Sequence, residues 1–240
     1  MDIKIYKEEE RGQGNYDWLK AKYSFSFANY YNPERTNFGA LRVLNDDVIN
    51  PSMGFGKHPH NNMEIISIPL KGSLKHKDSM SDEWFELHSD EVQVMTAGSG
   101  IMHSERNNSA HETLNLFQIW IQPKITDINP VYNQKKFDAN ERKDRLQILV
   151  TSNEEDSKNS LKINQDAKIS RIDLSKNKRW KYSLKSSQHG VYMVVIDGEV
   201  EVEDFKLSYR DAAGVFNTSD FEINATEDSD LLFIEVPMKF

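Results

Sequence analysis

The chain has 240 residues, 38% of them apolar and 28% charged, a net charge of −8 and no cysteine. That composition suits one large or two modest soluble domains with a sizeable core. The acidic balance, with no basic block, argues against phosphate-driven nucleic-acid binding as the main task. The missing thiols exclude disulfides, zinc–thiolate and iron–sulfur sites and thiol catalysis.

The opening MDIKIYKEEERGQG has no apolar signal-peptide core, and no run of about 18 apolar residues occurs. A cytoplasmic protein without membrane contact is expected. Residues 2–7 alternate apolar and polar and read as a short strand, as do Tyr23, Phe25 and Phe27 between Ser and Lys. NPERTNFG is a polar turn, ALRVLNDDVI a strand, and PSMGFG a glycine-containing loop that delivers the chain to His58. IISIPL and SLKHKDS form a hairpin about Lys71-Gly72, two short strands flank Ser89-Asp90, and LNLFQIWIQP is a strong strand ended by Pro123. Strands recurring at this spacing with turn signals between them predict an all-β sandwich or barrel.

Residues 123–145, with two prolines and many charges, read as a crossover between domains, and a second β set follows to Phe240. Residues 190–216 echo 64–95: apolar strand, turn at Gly72 or Gly198, polar return strand, turn at Asp90 or Asp211. The repeat predicts two similar β-domains, 1–125 and 126–240. It sets Leu184 and Ser186 opposite His58 and His60, and Asn224 and Thr226 opposite His103 and Glu105. The second copy therefore has the scaffold without a ligand set.

GFGKHPHNNME (54–64) and TAGSGIMHSERN (96–107) carry the chemistry. His58 and His60, like His103 and Glu105, are spaced i, i+2, which on a strand puts both side chains on one face. Two such strands brought together present three imidazoles and a carboxylate to one point. That set suits iron, nickel, copper or zinc better than calcium or magnesium, and it leaves positions open for water, dioxygen or a chelating substrate. Iron(II) is the first choice, with Ni, Co, Cu, Zn and Mn as alternatives. Glu64, at an even spacing from His60, competes with Glu105 as fourth ligand, orienting partner or base. His76, His88, His111 and His189 read as solvated. Asn61, Asn62, Ser104 and Asn107 either orient ligands or satisfy loop backbone. Phe25, Phe27, Phe55, Phe85, Phe117 and Trp120 read as core, a few of them walling a pocket over the metal.

RGQGNYDWL, YSFSFANYYNPERTNFGALRVLNDD, GFGKHPHNNMEI, GSLKHKDS and TAGSGIMHSE together resemble the pirin family of the cupin superfamily over nearly the whole chain. The resemblance implies a bicupin of two antiparallel jelly-roll barrels with few short helices and the metal in the first. It also implies His58, His60, His103 and Glu105 as the ligands, with Glu64 near the site but not a principal ligand. Asn61-Asn62 stands where Arg-Asp or Arg-Gly is common, which alters pocket charge. Some pirins open flavonols such as quercetin with dioxygen, so a small aromatic, flavonoid-like substrate and O2 are the implied partners, with Glu105, or in second place Glu64, taking the hydroxyl proton. The competing expectation is a non-catalytic metal- or redox-sensing protein that regulates a transcription factor or metabolic enzyme. A monomer is expected, as is a scaffold that does not need its metal to fold.

Overall fold

The computed structural model describes all of residues 1–240. The first half contributes β1 (Asp2–Tyr6), β2 (Gly12–Asn15), β3 (Leu19–Tyr23), β4 (Leu41–Ile49), β5 (Gly54–His60) and β6 (Glu64–Lys71). It continues with β7 (Ser73–Asp78), β8 (Phe85–His88), β9 (Glu91–Thr96), β10 (Ile101–Asn107), β11 (Leu114–Ile121) and β12 (Val131–Lys136). The second half contributes β13 (Gln147–Ser152), β14 (Leu161–Ile163), β15 (Lys168–Leu174), β16 (Arg179–Ser183) and β17 (His189–Asp197). It ends with β18 (Glu199–Val202), β19 (Phe205–Ser208), β20 (Ala212–Phe216), β21 (Asp220–Ala225) and β22 (Ser229–Pro237). The helices are two short 3-10 turns, Glu8–Glu10 and Ala139–Arg142, and no helix is long and apolar enough to cross a membrane.

Each half pairs a seven-stranded sheet with a four-stranded one: β12-β9-β6-β11-β4-β3-β2 with β5-β10-β7-β8, and β1-β20-β17-β22-β15-β13-β14 with β16-β21-β18-β19. The expected all-β bicupin architecture is what the chain adopts. The repeat is visible strand for strand, since β5-β10-β7-β8 matches β16-β21-β18-β19 in order and direction. Both hairpin turns use a left-handed glycine, Gly72 at φ +82° and Gly198 at φ +86°, where a side chain would be strained. Two strands cross between the halves. β1 pairs with β20 in the second sheet system, and β12, inside the segment expected to be a bare crossover, pairs with β9 in the first.

The two large sheets face each other across a seam of 27 buried residues, among them Leu44, Ile66, Phe117, Tyr192, Val194 and Ile234. Tyr192 is its hub, with ring centroids 5.1, 5.4 and 5.7 Å from Tyr6, Phe25 and Phe38. Phe25 belongs to this seam, so the predicted strand through Phe27 ends early: β3 stops at Tyr23, and Ala28 is left-handed at φ +50°. The second barrel's interior is filled by a cluster of 16 buried apolar residues including Tyr182, Phe221 and Phe233. On β21 the inward residues are Phe221, Ile223 and Ala225. Asn224 and Thr226 point outward to Glu201 and Glu199; the strand registers set Phe221 and Ile223 opposite His103 and Glu105, so the repeat alignment is three residues out at this strand.

Glu64 also turns into the seam rather than the metal site. Asn62, left-handed at φ +48°, breaks the strand between His60 and Glu64, so the even spacing no longer places both on one face. Glu64 is fully buried, its Oε2 accepts from Thr96 Oγ1 at 2.6 Å, and its Oε1 has no partner. Burial pushes its carboxyl up to about 7 against the opposing Thr96 hydrogen bond and the Asn164 backbone. Because the folded value lies above the unfolded one, the folded state keeps a proton that the unfolded chain releases. Stability is therefore lost as pH rises through about 7. Glu64→Gln is expected to raise stability by up to about 3 kcal/mol at pH 8 and to give no gain at pH 4. Urea denaturation at the two pH values checks this, and an equal gain at both would remove burial of charge as the cause.

Candidate metal centre

Strands β5 and β10 lie side by side in the small sheet of the first barrel, with His58 opposite His103. Between His103 and Glu105 the register slips, because Gly56 and Lys57 on β5 face the single Ser104 on β10. Such a bulge re-aims the side chains next to it. It also turns the Gly56 carbonyl onto His58 Nδ1 at 2.7 Å. A carbonyl only accepts, so Nδ1 carries the proton and Nε2 keeps its lone pair free for a ligand. That Nε2 lies 2.9 Å from His103 Nε2. Gly54 lets the strands close up, since a Cβ there would sit 2.2 Å from the Glu105 carbonyl oxygen.

The His58, His60 and His103 nitrogens lie within 4.8 Å of one another. Burial lowers both His60 and His103 to about 4, so these imidazoles are neutral at pH 7, the state in which they bind a metal. His103 Nδ1 is buried with no partner. Neutral nitrogen donors converging on one point fit a divalent transition metal. Glu105 is 2% exposed and is grouped with His103 and His76 rather than with the three-imidazole set. Its Oε2 accepts from Gln118 Nε2 at 2.8 Å, and its Oε1 lies 3.3 Å from Ser67 Oγ. Burial raises this carboxyl, but the contact with His76 and the surrounding imidazoles outweigh it and bring it to about 2.

His76 is fully buried, which corrects the expectation that it is solvated. Its position on the polar return strand β7 hid the fact that this strand lies next to β10. Its Nε2 lies 3.1 Å from Asp78 Oδ2 and its Nδ1 3.8 Å from Glu105 Oε1. Burial lowers its pKa, yet the two carboxylates win and raise it above the usual histidine value. His189 is buried too, with Nε2 3.0 Å from the Asp166 carbonyl oxygen, whereas His88 and His111 are exposed. Asn107 satisfies backbone, donating to the Ile49 and Glu112 carbonyls, and Asn62 exchanges hydrogen bonds with Asp127.

The imidazoles open into a cavity of about 540 Å³, within the usual range for small-molecule sites. Two edge-to-face aromatic pairs line it: Trp18–Phe55 at 5.0 Å and Phe27–Trp120 at 5.4 Å. Each pair also reaches one of the imidazoles, Phe55 at 6.4 Å from His58 and Trp120 at 4.8 Å from His60. Below them an in-register row crosses the large sheet: Tyr23, Asn45, Gln118, Ser67, Gln93 and Gln134. Polar residues in central strands are the sequence signal for this row, and strand-by-strand reading missed it because the row exists only across strands.

A family model described as pirin matches residues 5–121, and one described as quercetinase C-terminal cupin domain matches 149–236. The chain is 39% identical over 235 residues to a protein of Escherichia coli K12 named quercetin 2,3-dioxygenase, covering 98% of this chain and 99% of that one. It is 39% identical over 227 residues to a pirin-like protein of Caulobacter vibrioides, covering 95% and 96%. A crystal structure of the Escherichia coli pirin YhhW in complex with nickel(II) superposes with a TM-score of 0.91 at 37% identity, covering 98% of this chain and 99% of that chain. Likeness sustained from end to end, through both barrels and the strands that exchange between them, makes the chain a member of the pirin family.

Proposed function

We propose that the protein is a metal-dependent dioxygenase that opens hydroxylated aromatic heterocycles of the flavonol type, such as quercetin. The observation that carries this reading is the convergence of three imidazoles at the wall of an aromatic-lined cavity of substrate size. The names of the relatives support it, and the nickel-bound pirin supports a divalent ion in this fold. The site belongs to the cupin at 1–125, and the cupin at 126–240, which lacks a ligand set, serves as its support.

The ion, with iron(II) as first choice, would be held by His58, His60, His103 and Glu105 and would supply Lewis-acid and redox chemistry for attack by dioxygen. The aromatic pairs Trp18–Phe55 and Phe27–Trp120 hold the flat substrate beside the imidazoles and keep bulk water out. Glu105 contributes the negative charge of the set and would receive the proton of the 3-hydroxyl. Both oxygen atoms of O2 enter the product, the two ring bonds flanking the hydroxyl-bearing carbon break, and that carbon leaves with its own oxygen as carbon monoxide.

Iron-loaded protein prepared without oxygen, then given quercetin and O2, is expected to bleach the flavonol absorbance and release carbon monoxide, and His58→Ala is expected to do neither. Intact quercetin with fully loaded protein would overturn the reading for this substrate class.

A further inference from the structure

Two residues in the cavity take no part in the chemistry above. Asn45 and Asp47 sit at i, i+2 on β4, on its inward face, and both line the cavity that holds the imidazoles. They are only 3% and 4% exposed, yet Asn45 Oδ1 and Asp47 Oδ1 have no hydrogen-bond partner. The contrast with their neighbours is sharp. Gln118, directly across from Asn45, spends its amide on Glu105, and Ser67 and Gln93 beyond it are bonded along the same row. The row of bonded polar groups therefore stops at Asn45, and two buried acceptors lie unpaired in the cavity wall.

An unpaired buried acceptor costs about 1–3 kcal/mol. Two of them on one strand, among aromatic side chains, are a stability penalty that a ligand donor group would relieve. Burial first, then Asp46 and Glu105, push the Asp47 carboxyl up to about 8, so at neutral pH it is uncharged, keeps one oxygen free to accept from a neutral hydroxyl, and fits that hydroxyl better than a cation.

We infer that Asn45 and Asp47 form a specificity subsite that accepts hydrogen bonds from a phenolic hydroxyl of the substrate remote from the reacting carbon. The inference deepens the flavonol reading and rests on it. The metal group selects a ring bearing the reacting hydroxyl, and β4 selects rings that carry further hydroxyls. An apolar site of the same shape cannot strongly reject an added hydroxyl, whereas a site built to hydrogen-bond one rejects the analogue that lacks it.

The test measures binding, not turnover, in protein loaded with nickel under nitrogen, followed by quenching of tryptophan fluorescence from Trp18 and Trp120 in the cavity wall. The probes are quercetin and 3-hydroxyflavone, which keeps the reacting hydroxyl and lacks the others. Wild type is expected to prefer quercetin by about tenfold or more, as one to two net hydrogen bonds imply. Asn45→Leu and Asp47→Leu are each expected to bring quercetin toward the affinity of 3-hydroxyflavone, to leave 3-hydroxyflavone and nickel content unchanged, and to raise the melting temperature. A residue with a merely structural role would lose stability on the same change. Should Asp47→Leu not fold, Asn45→Leu and Asp47→Asn carry the comparison. If both flavonols bind and the preference survives in the variants, the subsite is overturned and the dioxygenase reading stands. If neither flavonol binds wild-type protein, both fall.

Discussion

His103→Ala is expected to reduce bound metal from about one equivalent to a trace, with affinity at least about 100-fold weaker; loss of an orienting partner alone costs about 10–100-fold. His103 is the residue common to both candidate groups, the three-imidazole set and the set with His76 and Glu105. It is 1% exposed and its Nε2 lies 2.9 Å from that of His58. Truncation therefore removes a donor from the middle of the site. Alanine also leaves a void in the wall of an already open cavity, so the metal-free fold pays only part of the usual core penalty. The discriminating measurement is the rise in melting temperature on adding nickel, since a ligand that binds only the native state stabilises in proportion to its affinity. Wild type should show the rise, His103→Ala should show none, and exposed His88→Ala should match wild type. Full metal content in His103→Ala would remove the three-imidazole site.

Much of this site is legible in the sequence because two short strands carry it. His58 and His60 on β5 and His103 on β10 obey the period-two rule within each strand, and their convergence needs only that the strands be neighbours. The rule failed where the chain leaves the strand. Glu64 has the right parity from His60, but the left-handed Asn62 between them changes the facing, and Glu64 ends in the seam. The repeat failed in the same way at β21, where a slip of three residues, an odd number, turns Asn224 outward and Ile223 inward.

What could not be read was long-range pairing. A polar strand such as β12 looks like a linker until β9 is beside it, and Asp2–Tyr6 cannot announce that its partner lies more than 200 residues on. His76 is the instructive case. In SLKHKDS it sits among lysines and reads as surface, yet Lys75 and Lys77 point one way and Leu74, His76 and Asp78 the other, to complete burial. The alternation was present in the sequence. Its meaning depended on knowing that the inward face of β7 meets Glu105.

That placement gives the second large effect. His76→Leu is expected to destabilise the metal-free protein by about 3–5 kcal/mol, the cost of breaking a buried ion pair and leaving its partners uncompensated. Glu105 and Asp78 are 2% and 5% exposed, and the imidazole between them lies 3.8 and 3.1 Å from their oxygens. The sign of the pH dependence follows from the two shifts. Glu105, lowered to about 2, contributes stability that is present above about 4.5 and lost as pH falls through about 2. His76, raised, contributes stability that is complete below about 6.5 and lost as pH rises through its folded value. The deficit of the variant should therefore be greatest between about pH 4.5 and 6.5 and should shrink at higher pH. A divalent cation beside Glu105 replaces the missing positive charge, so nickel should restore part of the stability lost in His76→Leu, whereas His103→Ala offers nickel no site. Urea denaturation across pH 5–9, with and without nickel, separates the two variants. A deficit independent of both pH and metal would reduce His76 to a space-filling ring.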